Sequence, residues 1–242
     1  MKKRFVGTLL VLSLSIFSLT ACGDKTEPTS QTTKNETTTA ETTTQETTTE
    51  ETTTEETTAA ASNLTFGLWD GTTFSNEWLN MKFSFPEGST AASTDVIKQN
   101  MGASANGVTI NPGDNSGSIE GTPSMIYDGL ILLDEQGSNL QILYITASSL
   151  GIGMTPENYL ATLKTQFEST NYVCNDVETV DIAGQSFYKL PMTYTDDSLE
   201  QTIYQDYYCM QKESYFVNFI VSYFSDTTDT IDQVIAGITA LK

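Results

Sequence analysis

Leu79, Met81, Phe83 and Phe85 alternate with polar residues between Thr72 and Pro86, and a period of two is what a strand with one buried and one wet face produces. Ser93 to Met101 fits a short helix, whereas 106–123, NGVTINPGDNSGSIEGTP, is turn-rich enough to read as a long loop. Two apolar runs follow, SMIYDGLILLD and NLQILYITA, separated by Glu135-Gln136-Gly137-Ser138 as in a hairpin. The period then changes. Thr155 and Pro156 supply a cap and first residue for a helix with Tyr159, Leu160, Leu163 and Phe167 on one face. Four further segments, NYVCNDVETVDIAG, QSFYKLPMTYT, LEQTIYQDYYCMQK and YFVNFIVSYF, read as strands joined by short polar turns, with Pro191 at an edge or a bulge. From about Thr228 the stripe Ile231, Val234, Ile235 and Ile238 predicts a closing helix, with Asp229 and Asp232 near its positive end. Helices bracketing antiparallel strands predict an α+β fold for residues 63–242, read as a single globular domain.

The N-terminus carries a different pattern. Lys2, Lys3 and Arg4 precede an apolar run from Phe5 to Leu19, the layout of a secretory signal, and the run is shorter than the roughly 20 apolar residues of a bilayer-spanning helix. Leu19-Thr20-Ala21-Cys22 resembles the bacterial lipobox, in which the cysteine thiol receives a diacylglyceryl group and becomes the first residue of the mature chain. Residues 1–21 are therefore expected to be a lipoprotein signal peptide and Cys22 a lipidation site, its acyl chains forming a stable anchor. Between Asp24 and Ser62 glutamates recur every five residues at Glu36, Glu41, Glu46, Glu51 and Glu56 among threonines. With no apolar residue larger than alanine, this stretch has nothing to offset the entropy of ordering, so 22–62 is expected to be a disordered Thr/Glu-rich spacer, glycosylated or bare.

Charge then limits the function. The full chain has a formal net charge of −20 with no histidine, and its single arginine is Arg4, in the signal. An imidazole for acid–base work or metal ligation is therefore missing from the sequence, and so is a guanidinium fork in the mature chain. Nucleic acid is not an expected partner, because neutralising phosphates needs a basic face. An acidic body also leaves attachment to anionic lipid to the acyl group on Cys22.

Candidate chemistry thins out on inspection. Gly184-Gln185-Ser186 begins like a nucleophile elbow but lacks the closing glycine and any histidine partner. Ser186 and Lys189 have Ser-x-x-Lys spacing, yet in a strand residues three apart point to opposite faces. Asp114 to Glu120 offers oxygen ligands in a glycine-rich loop, without the sixth-position glycine or twelfth-position glutamate of a calcium loop. The pairs Asp134–Glu135 and Asp196–Asp197 are adjacent in turns and read as solvated surface. No catalytic residue, metal ligand or cofactor motif is assigned. Cys174 and Cys209 remain after Cys22 is lipidated: outside the cytosol they form either a disulfide closing a loop of about 36 residues or two buried free thiols. Tyr204, Asp206 and Tyr208 share one strand face, where amphipathic tyrosines beside a carboxylate suit a sugar or protein contact if the face is open; otherwise they are packed core. Trp69 and Trp78 carry the same two readings.

The opening strand, Phe74-Ser75-Asn76 followed by Leu79-Asn80-Met81-Lys82-Phe83-Ser84-Phe85-Pro86, the central amphipathic helix, the segment Val180-Asp181-Ile182-Ala183-Gly184-Gln185-Ser186-Phe187-Tyr188-Lys189-Leu190, and an aromatic strand before a last helix resemble the PsbP-like fold of small lipoproteins from Gram-positive anaerobes. The resemblance implies a sheet flanked by helices and, by analogy, a non-enzymatic binding or assembly role; it carries over no functional residue. The expected protein is thus lipid-anchored on the outer face of the cytoplasmic membrane of a Gram-positive bacterium, contacting an envelope protein or glycan. A solute-binding lipoprotein serving a transporter is the alternative, and an envelope enzyme working with carboxylates alone is the third reading.

Overall fold

The computed structural model describes residues 64–113, 119, 121, 123–196 and 201–241. The signal segment, Cys22, the Thr/Glu-rich spacer, most of the acidic loop at 114–120 and Asp197 lie outside the described residues.

Short strands open the domain: β1 (Leu68–Trp69), β2 (Thr73–Asn76), β3 (Met81–Ser84) and β4 (Thr90–Ala91). Helix α1 (Thr94–Met101) follows, capped by the Ser93 hydroxyl accepting from Val96 N–H. Strands β5 (Val108–Ile110), β6 (Met125–Leu132) and β7 (Asn139–Thr146) lead to helix α2 (Pro156–Glu168). Its start matches the sequence reading, with the Thr155 side chain capping and Pro156 in the first turn. Then come β8 (Val173–Cys174), β9 (Glu178–Ile182), β10 (Gln185–Asp196), β11 (Gln201–Lys212), β12 (Tyr215–Phe224), helix α3 (Thr228–Ala236) and β13 (Thr239–Ala240). The fold is α+β, antiparallel sheet flanked by helices, as the element pattern predicts.

One sheet of the described residues runs β4-β6-β7-β12-β11-β10-β8, with β5 beside β6 and β9 beside β10; a smaller one runs β1-β2-β3-β13. The large sheet is the middle layer. One face buries Leu190, Tyr207, Phe216 and Ile220 against Leu160, Leu163 and Phe167 of α2 and Ile97 of α1. The opposite face buries Phe187, Val217 and Phe219 against Phe74 and Phe83 of the small sheet and Ile231 and Val234 of α3. Strands buried on both sides explain why YFVNFIVSYF is apolar at almost every position. Each fully buried large side chain contributes roughly 1.5–3 kcal/mol.

Three local expectations change. Val108–Ile110, inside the supposed long loop, forms β5 and pairs parallel with β6. The segment 171–184 is two strands rather than one. Pro191 lies where the outer neighbour of β10 changes from β9 to β8, so its missing N–H interrupts no ladder; its carbonyl accepts from Asn175 N–H at 2.9 Å.

A cleft built around a buried aspartate

Asp128 interrupts the apolar strand β6, and the ladder to β7 shifts register there, between Tyr127 and Gly129. The bulge turns a carboxylate, 1% exposed, towards the small sheet. Four donors meet it. Oδ1 accepts from Gly67 N–H at 2.8 Å and Asn111 Nδ2 at 3.0 Å; Oδ2 accepts from Asn76 Nδ2 at 2.9 Å and the Tyr144 hydroxyl at 2.5 Å. Burial pushes the Asp128 carboxyl above its ordinary value, and the hydrogen bonds from Tyr144, Gly67, Asn76 and Asn111 pull against that. A proton on either oxygen would displace one of its two donors, so the carboxylate is the form these bonds stabilise against the effect of burial. The same burial, reinforced by the charge on Asp128, holds the Tyr144 hydroxyl well above its usual value.

Asn111 ties three elements at this point. Its side-chain nitrogen lies 2.9 Å from the carbonyls of both Gly67 and Asp128, its N–H donates to Tyr127 O, and its carbonyl accepts from the Thr94 hydroxyl at 3.0 Å. Ala92 N–H donates to Leu130 O, which draws the start of α1 against the same bulge. Between these elements opens a cleft of about 420 Å³. Trp69, Phe74, Ile97 and Leu130 form its apolar walls, while Asp95, Asn111 and Asp128 supply its polar groups. Gly67 is required: a Cβ there would stand 2.0 Å from Cζ of Phe74. Trp69 is half-buried and packs on Phe85 with ring centroids 5.5 Å apart, whereas Trp78 is buried against Tyr144 and Tyr215. Of the two tryptophans singled out from sequence, the structure places Trp69 at the cleft and Trp78 in the core.

Tyr204, Asp206 and Tyr208 do share one face of β11, but Asp206 and Tyr208 are buried beneath the layer that carries α3. The supposed open binding face is closed at two of its three residues. Lys189, paired with Tyr208 across the strands, reaches Asp206 at 3.3 Å and Glu178 at 3.7 Å and stands over the Tyr208 ring, 5.5 Å from its centroid. The Tyr208 and Tyr223 hydroxyls approach Asp206 at 3.4 and 3.5 Å. Burial raises the Asp206 carboxyl, and Lys189 opposes the rise. Tyr204 stays half-buried, stacked on Tyr223 at 5.4 Å.

Among the described residues, the two buried carboxylates, Asp128 and Asp206, sit on β6 and β11, with β7 and β12 between them. Three strand spacings come to about 14 Å, wider than the roughly 5–10 Å that paired-carboxylate glycoside hydrolysis uses. Cys174 and Cys209 are free thiols, which corrects the disulfide alternative. Cys174 faces Met192 on β10, Met192 is in register with Gln205 on β11, and Cys209 lies four residues further along. Two strand spacings and four residues put the Cα atoms about 16 Å apart, against the roughly 7 Å a disulfide tolerates.

No family model and no curated protein matches the chain. Among solved structures it is similar to the cyanobacterial PsbP protein CyanoP from Synechocystis sp. PCC 6803, at 15% identity and a TM-score of 0.41, covering 71% of this chain and 94% of that one. It is also similar to LpqN of Mycobacterium tuberculosis, described as involved in cell envelope biogenesis, at 14% identity and a TM-score of 0.36, covering 66% and 82%. A protein from Bacteroides thetaiotaomicron follows at 10% identity and a TM-score of 0.35, where the alignment spans 72% of this chain and 50% of the other. At these values the similarities assign no function.

Proposed function

We propose that this chain is a lipid-anchored envelope protein whose domain binds a partner or ligand through the Asp128 cleft without transforming it. One observation carries the reading. The polar groups at the cleft floor are already engaged internally, with both Asp128 oxygens holding two donors each and Asn111 bridging three elements through its side-chain amide and its backbone carbonyl. The cleft therefore offers shape, apolar walls and charge rather than a reactive group. The sequence supplies the setting, a lipobox at Cys22 and a threonine–glutamate spacer that would hold the domain away from the membrane.

A second reading, a solute-binding lipoprotein that passes its ligand to a transporter, is favoured by the cleft volume, which falls in the range of small-molecule pockets.

Labelling cells with an alkyne fatty acid and fractionating them tests the anchor. The wild-type chain is expected in the membrane fraction with label, and Cys22→Ala unlabelled and released from it. Equal membrane retention of the two chains would refute lipid anchoring at Cys22.

A further inference from the structure

We propose that the cleft takes a small organic cation, an ammonium-bearing ligand with an apolar body; this rests on the reading of the domain as a binding module. Among the described residues, the cleft is lined by two carboxylates, Asp95 and Asp128, and by no lysine or arginine. Asp128 makes the floor anionic in an unusual way. Its four partners, Gly67 N–H, Asn76, Asn111 and Tyr144, are all neutral donors, so they stabilise the charge without cancelling it. Contrast Asp206, whose charge Lys189 balances directly at 3.3 Å. The field of Asp128 is left to act on whatever occupies the cleft beside it, through a low-dielectric wall that weakens it less than water would.

The walls fit the same ligand. Trp69 presents a half-buried indole, and the Phe74 ring stands behind Gly67 and Gly129, where a Cβ on either glycine would meet it at 2.0 or 3.4 Å. The Trp69 indole can attract a cation while accepting its methyl or methylene groups, and Phe74, 3% exposed, adds apolar wall. Asp95 is exposed at the rim, where the start of α1 meets solvent. The positive end of α1 does not reverse the sign, because the Ser93 hydroxyl caps Val96 N–H and Asp95 itself stands in the first turn. Over longer range, a chain with formal net charge −20 draws cations towards it.

The test uses choline and its uncharged isostere 3,3-dimethylbutan-1-ol, titrated into the full-length lipidated chain in detergent and followed by tryptophan emission and calorimetry. Choline is expected to bind saturably at millimolar concentration or below, at least about tenfold more tightly than the alcohol. Added salt should weaken choline and leave the alcohol unchanged. Asp95→Asn should weaken choline several-fold while the domain stays folded, and Asp95→Glu should restore the affinity. Equal affinity for the two compounds, or no saturable response to choline, overturns the cation assignment. Cross-linking from the cleft in the membrane reads the binding-module proposal separately, so either can fail alone.

Discussion

The Tyr144 hydroxyl on β7 donates to the Asp128 carboxylate on β6 at 2.5 Å, inside a core where both side chains are buried. That bond joins the large sheet to the lead-in of the small one, because the same carboxylate holds Gly67 N–H and Asn76. Tyr144→Phe should therefore cost about 1–3 kcal/mol in urea unfolding. Asp128→Asn should cost at least as much, since it sets an amide NH2 against groups that are themselves donors. Near-neutral effects of both variants would mean that the Asp128 network does not hold the cleft together.

Gly67→Ala introduces a methyl group into the Phe74 ring. The ring packs edge-on against Phe83 with centroids 5.7 Å apart, which blocks its retreat on that side. A loss of about 1–3 kcal/mol is expected in denaturant midpoints, with weaker choline binding. Wild-type stability would show that the cleft wall is softer than described.

Acidification should stabilise the domain before it harms it. Burial raises both Asp128 and Asp206, so the folded chain holds protons at pH values where the unfolded chain has lost them. Stability from these two groups is present below the ordinary carboxylate value and is lost as pH rises through their raised native values. Asp70, lowered chiefly by its bond from the Thr73 hydroxyl, and Asp176, lowered by Lys164, act the other way, but only below the ordinary carboxylate range. Melting temperatures should rise as pH falls from neutral towards the ordinary carboxylate range, helped by relief of self-repulsion. A Tm that falls steadily over that interval would contradict the assignment of both buried carboxylates.

Much of the fold was legible because single elements announce themselves locally. Thr155-Pro156 marked the start of α2 through cap chemistry, and the alternation of Met81 and Phe83 marked β3. The cleft was not legible, because it is assembled from residues far apart in sequence: Gly67, Asn76, Asn111 and Asp128. Its one local signal was an aspartate followed by glycine inside SMIYDGLILLD, an acid in the middle of an otherwise apolar strand. Tyr204, Asp206 and Tyr208 were correctly placed on one face by their period of two. Whether that face is covered depends on α3 and the small sheet, which periodicity within one strand does not report.

Thiol titration checks the placement of the cysteines. With Cys22 acylated as proposed, Cys174 should react slowly in the folded chain, its thiol raised by burial and by Glu168, while Cys209 should stay silent until unfolding. Two thiols should appear in denaturant without reductant. Finding none would restore the disulfide.

Binding through the cleft is tested most directly by a photoreactive residue placed in the full-length chain on living cells. Pro112 is exposed and lines the cleft, whereas Val173 is exposed on β8, at the opposite edge of the large sheet. A saturable adduct from position 112 that is missing from position 173 is the expected result. The same adducts from both positions, or none from position 112, would contradict the cleft as the binding site.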